Sequence, residues 1–211
     1  MTTDVYITNW QDQRVVGGGG GGKSTERGSA WLQEIDQLAV PGATDWLMTL
    51  IPANTGSPVP GEGRAAPGLT TPMQVVGWFW GQERAGAGDT LVNAKTMGAR
   101  RVADLTIVKF LDAATPVLSS ACSTNALIKE AKLIAFRAGG QSNDTQVEFF
   151  KMVAKDGALR SHYIYTSHRH GIPLEVFELN FKTLELVYTP QTVKGSKGGV
   201  TMTMLDVTAQ Q

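Results

Sequence analysis

Apolar residues recur at every second position along much of this chain, and that alternation restricts it to a fold built mainly of strands. Leu105 and Ile107 alternate with Asp104 and Thr106, Val147 and Phe149 flank Glu148, and Phe177, Leu179 and Phe181 alternate with Glu178 and Asn180. Successive side chains of an extended chain point to opposite faces, so each segment presents one face to a core and the other away from it. Further segments of this kind cover residues 5–9, 31–40, 74–81, 132–138, 158–165, 184–188 and 200–207. Between them lies turn chemistry, including Gly139-Gly140 and Asp156-Gly157. Both residues of the second pair tolerate positive φ, which predicts a tight hairpin there. The apolar parity changes between Phe181 and Leu184, which requires a bulge near Lys182-Thr183 or a strand that passes between two sheets.

One segment reads as a helix, over about residues 116–123. Thr115 can cap it, Pro116 suits its first position, Val117, Leu118, Ala121 and Cys122 make an apolar stripe, and Ser123-Thr124-Asn125 ends it. Two stretches read as loops. Residues 17–22 are six glycines, and residues 41–72 hold six of the nine prolines. The second stretch is long for a compact domain. It also carries Trp46, Leu47, Leu50 and Ile51, which are poorly placed in free solution, so these four are candidates for contact with a neighbouring subunit.

The chain has 211 residues and 42% hydrophobic content, enough for one sizeable core, and a single domain spanning 1–211 is expected. Its 19 basic and 19 acidic residues cancel and form no long run, so there is no electrostatic footprint for nucleic acid or for an anionic membrane. The lone Cys122 cannot form an internal disulfide, which fits folding in a reducing cytoplasm. The first ten residues have neither the basic nor the apolar region of a secretory signal, and no apolar run is long enough to span a membrane.

Several residue patterns suggest chemistry and are outweighed. Gly17, Gly22, Lys23 and Ser24 match the phosphate-loop spacing. That loop, however, needs a helix to aim N–H groups at the phosphates, and Gly28 falls where the helix would start. A run of glycines also satisfies any glycine pattern by default. His168 and His170, with His162 of matching parity, could begin a metal site, but zinc needs a third or fourth ligand and the flanking residues read as loop. Cys122 suits a small apolar position on a helix face better than a nucleophile. No hydrolase motif is present, so the residues point to no enzyme and to no cofactor or metal. In Trp78-Phe79-Trp80 the two tryptophans carry the larger surface and are expected to take the core face, leaving Phe79 on the other.

With the strands placed, the wording of the chain resembles the haemolysin-coregulated protein family. Asp4-Val5-Tyr6-Ile7 is similar to the family's first strand, Glu34-Ile35-Asp36 to its Glu-Ile-Asp, and Trp78-Phe79-Trp80-Gly81 to its Trp-x-Trp-Gly strand. The stretch from Asp104 to Asp112 resembles the strand before the family's helix, and that from Pro116 to Cys122 the helix itself. Arg137-Ala138-Gly139-Gly140, Asn180-Phe181 and Tyr188-Thr189-Pro190-Gln191 follow in the family's order. Residues 41–72 depart from it as an insertion, and the tryptophan common near the family's C-terminus is replaced around residues 200–205.

The resemblance implies a compact antiparallel β-barrel or sandwich with one short helix, acting as the structural tube subunit of a type VI secretion system. About six copies would close into a ring and rings would stack into a tube. A spike protein, a contractile sheath and effector proteins carried in the lumen are the implied partners. The protein would stay cytoplasmic until firing and then be secreted without a signal peptide. The middle residue of Trp-x-Trp faces the channel in the family, which makes Phe79 the candidate lumen and cargo contact. A phage-type tail tube subunit is the alternative of the same architecture, and a phosphate-loop enzyme the alternative of another class.

Overall fold

The computed structural model of the protein describes residues 45–84, 100–138, 146–167, 171–190 and 198–208. The expected strands at 5–9 and 31–40, the glycine run with Lys23, Gly139-Gly140, and His168 and His170 lie outside these residues.

Six strands close a barrel: β1 (Asp45–Pro52), β2 (Met73–Phe79), β5 (Leu105–Phe110), β6 (Leu127–Ala138), β7 (Gln146–Thr166) and β8 (Pro173–Asn180). They pair in the order β7-β6-β1-β2-β5-β8, and β8 returns to β7, antiparallel throughout. β7 is long enough to serve two neighbours on one edge. Its C-terminal half pairs with β8, while Phe150–Lys155 pair with β9 (Thr183–Tyr188), which in turn pairs with β10 (Thr201–Asp206). β9 and β10 thus stand off the closed barrel as a wing. A separate hairpin joins β3 (Gln82–Arg84) to β4 (Arg100–Val102).

The alternation read from the sequence becomes the inner face of this barrel. Leu105 and Ile107 of β5, Phe177 and Leu179 of β8, Leu133 of β6, and Met152 and Ala154 of β7 meet in one buried cluster. The helix α1 (Thr115–Ser123) adds Leu118 and Ala121 to it. The parity change after Phe181 is absorbed by the break between β8 and β9, so that Phe181 and Leu184 both reach the core.

Three local expectations are corrected. Asp156-Gly157 does not turn the chain, because both residues lie within the continuous β7. Asp156 takes the left-handed conformation at φ 55°, while Gly157 leaves room for the neighbouring chain. A Cβ on Gly157 would sit 1.9 Å from the carbonyl oxygen of Asn180. The motif therefore kinks the strand where β8 hands over to β9.

Thr115 does not cap α1, whose N-cap is Ala114. Its hydroxyl is engaged by Glu175 and by the backbone of Asp112, and the Asp112 carboxylate accepts the Ala114 N–H instead.

The stretch 41–72 is not loop throughout. Residues 45–52 form β1, at the centre of the sheet between β2 and β6. Only the remainder, from residue 53 to 72, is a connection, and it folds back on the barrel. Its Val59 enters the main core, and Leu69 covers Leu47, Ile134 and Phe136 on the outer face of β1 and β6. Removing 41–72 would take a central strand out of the barrel.

Candidate functional site

The register across β2, β5 and β8 sorts the Trp-x-Trp strand into two faces. Trp78 lies opposite Ile107, which lies opposite Phe177; the latter two belong to the main core, and the half-buried Trp78 packs against it. Phe79 lies opposite Thr106, which lies opposite Glu178 on the face turned away from that core. An irregularity between Val75 and Gly77 lets Met73, Val75 and Trp78 share the inner face. Phe79 itself is half-buried.

Trp46 and Trp78 meet with ring centroids 5.1 Å apart, and Phe150 stacks on Trp78 at 5.8 Å with 17° between the planes. Such offset aromatic pairs contribute about 0.5–1.5 kcal/mol beyond the burial of their area. Trp46 and Ile51 are half-buried, and Trp46 packs against the main core. Leu47 and Leu50, expected with them at a subunit contact, are 1% and 0% exposed and are corrected to internal packing residues. Leu50 lies in the main core and Leu47 under Leu69, so neither is available to a second subunit.

The densest chemistry lies inside the barrel, next to the start of α1. Lys109 Nζ is fully buried and donates to Glu175 Oε1, to Asp112 Oδ1 at 2.8 Å and to the Phe110 carbonyl at 2.7 Å. Glu175 Oε1 also accepts the Thr115 hydroxyl at 2.8 Å, and Glu175 Oε2 lies 2.6 Å from His162 Nε2. Burial by itself raises the Glu175 pKa. The hydrogen bonds from His162 and Lys109, the charge of Lys109 and the Thr115 hydroxyl outweigh it and hold the carboxyl below the usual carboxylate range. The Ala113 N–H donates to Glu62 Oε1, and the Glu62 N–H to Asp112 Oδ2, which ties the 53–72 connection to the same point.

This cluster joins β5, α1, β7, β8 and the connection, and every charge in it has a partner. It is built as a clamp. His162 is engaged within it, and among the described residues no group of three or more His, Cys, Asp and Glu is arranged to hold a metal. Cys122 is half-buried beside the core, and burial raises its thiol pKa. That is the opposite of what activates a nucleophilic cysteine.

The strand expected at 200–207 is present as β10, but its exposure was not foreseen. The β10 residues from Thr201 to Met204 are all exposed, with Met202 and Met204 each at 63%. Among the described residues, β10 stands at the end of the strand order of the larger sheet and pairs with β9. Across the start of the wing, Arg100 of β4 donates to the Asp206 carbonyl at the end of β10. The run from Val200 to Met204 alternates like the other strands, and burial on one face was the natural reading of it.

No described helix is long and apolar enough to cross a membrane.

Comparison with known proteins agrees with this architecture. Against the protein hcp1 of Pseudomonas aeruginosa, the chain is 34% identical over 98 residues, which make up 46% of this chain and 59% of that protein. Among solved structures, the crystal structure of Hcp1 from Salmonella typhimurium superposes with a TM-score of 0.59 at 20% identity, covering 81% of this chain and 99% of that one. A structure described as a type six secretion system protein gives a TM-score of 0.67 at 18% identity, covering 80% and 100%. At these identities the superpositions speak for the fold. The profile of the family described as "Type VI secretion system effector, Hcp" matches residues 54–188, more than half of the chain, and the chain therefore belongs to the Hcp family.

Proposed function

We propose that the chain is the structural tube subunit of a type VI secretion system and works by assembly rather than catalysis. About six copies close into a ring, and rings stack into the expelled inner tube. Effector proteins travel in its lumen, a spike protein tips it and a contractile sheath drives it. The subunit waits in the cytoplasm and leaves through the apparatus itself, with no cofactor, nucleic acid or membrane insertion involved.

The observation that carries this reading is the family match over residues 54–188, which contains every described element from β2 to β9. The fold supports it as well, since it is a closed barrel with a projecting wing and its densest polar cluster is a buried clamp. Phe79 is the candidate lumen residue, on the face turned from the core, and Trp46 and Ile51 are the candidate subunit contacts.

Native mass measurement and electron micrographs of the purified protein test the proposal. Rings of about six copies that stack end to end are expected. A protein that stays monomeric at every concentration up to the millimolar range would overturn it.

A further inference from the structure

The connection from β1 to β2 is anchored at both ends and nearly bare at its tip. Val59 on one side and Met73 on the other belong to the main core. Just inside these anchors the two arms lie backbone to backbone, with the Gly61 N–H donating to the Thr71 carbonyl at 3.0 Å and the Gly63 N–H to the Pro72 carbonyl at 2.7 Å. A Cβ on Gly63 would sit 2.6 Å from the Pro72 oxygen, so this seam closes only because the residue is glycine. Beyond it, Leu69 is the one buried residue of the tip formed by residues 64–70. The tip is a preformed turn of the type II pattern, with Pro67 and Gly68 at its centre and Gly68 at φ 77°. The Leu69 N–H donates to the Ala66 carbonyl at 2.8 Å, and the Ala66 N–H to the Leu69 carbonyl at 3.1 Å. These bonds lie within the tip and travel with it. Leu69 is thus a single knob on a rigid turn, and its seat is the outer side of β1 and β6. Leu47, Ile134 and Phe136 form that seat and are 1%, 4% and 2% exposed with the knob in place. Leu47 and Ile134 stand opposite each other in the pairing of the two strands, so the sheet keeps the shape of the seat when the knob leaves.

We propose that this seat is a docking site for a proline–glycine turn that presents a leucine, and that the Leu69 turn of a second copy of this chain takes it in exchange for the chain's own. With the knob seated, Leu47 is out of a neighbour's reach; with the tip lifted, the whole seat is open. Opening asks little of the fold, because one apolar side chain holds the tip and the glycine seam keeps the base of the connection in place. Two features favour a second copy as the occupant. Knob and seat already fit each other on one chain, so every copy carries a ligand of the right shape, and exchanging an identical element restores in the pair the contacts each copy gives up. Residues 65–71 also carry no charge, so two turns approach without repulsion. The exchange goes beyond the tube-subunit reading and does not depend on it.

Two full-length variants free the seat by different means. Leu69→Asp removes the knob, and Gly68→Ala strains the positive-φ turn that aims it. A fluorescently labelled peptide of residues 60–72 is expected to bind both variants saturably and the wild type at least tenfold more weakly, because the wild type's own turn competes. The same peptide carrying Leu69→Asp is expected to bind none of the three. A peptide that binds neither folded variant, or binds the wild type equally well, would overturn the docking site. Exchange between copies is read from a 1:1 mixture of Leu69→Cys and Ile134→Cys chains, each also carrying Cys122→Ser so that one thiol per molecule remains. On addition of a mild oxidant, the mixed disulfide dimer is expected to exceed the two like dimers combined, which is more than random pairing gives. A mixed dimer at or below that level would show that the turn of one copy does not reach the seat of another.

Discussion

Lys109 and Glu175 sit face to face inside the barrel with no access to solvent. Two charges taken out of water stabilise a fold only when further hydrogen bonds complete their shells, and here Asp112, Thr115, His162 and the Phe110 carbonyl do so. Because the folded-state pKa of Glu175 lies below its unfolded value, its contribution is fully present above the unfolded pKa, about 4.3 for a glutamate, and is lost as pH falls through the folded value. The melting temperature of the monomer should therefore drop as pH is lowered from about 4.3, and Glu175→Gln should flatten that part of the profile. Parallel acid profiles for the two proteins would show that another carboxylate is responsible.

At the scale of the element, β7 is a single strand that carries two sheet regions past each other, and the kink at Asp156-Gly157 makes this possible. Gly157→Ala forces a methyl group onto the Asn180 carbonyl, where neither backbone can move without breaking the pairing of Lys182 N–H with the Lys155 carbonyl. A loss of roughly 1–3 kcal/mol is expected from urea unfolding, in the range of overpacking in a well-filled site.

β2 separates its two faces just as sharply. Phe177, on the core face of β8, should cost about 3–5 kcal/mol when truncated to alanine. Phe79→Ser should leave the monomer nearly as stable and instead change how much effector co-purifies with the tube. If Phe79→Ser unfolds the monomer, or leaves effector retention at the wild-type level, Phe79 does not face the lumen.

At the scale of the whole molecule, the described strands close a barrel, and the proposed contacts lie on its surfaces: the face bearing Phe79 and the half-buried Trp46 and Ile51. The glycine run lacks the helix a phosphate loop needs at the level of its sequence, since Gly28 falls where that helix would start. Lys23→Ala is accordingly expected to leave ring assembly unchanged, and calorimetry with ATP should show no saturable binding for either protein. Saturable binding that disappears in the variant would make the glycine run a true phosphate loop.

The strand plan was legible because alternation is a local property. One buried face imposes period two on the residues themselves, as in Leu105 to Ile107 and Phe177 to Phe181. The helix was legible from Pro116 and the small apolar residues after it. β1 was not, because a strand buried on both faces loses its alternation. Trp46-Leu47-Met48 and Leu50-Ile51 form a short continuous apolar run among prolines, and the second buried face exists only because Leu69 folds back over it. Thr115, Lys109, Glu175 and His162 are scattered along the chain and became a clamp only when β5, β7, β8 and α1 met. The exposure of β10 had no local signature either. Its residues read like any half-buried strand, and its position at the end of the described strand order is a property of the pairing rather than of the sequence.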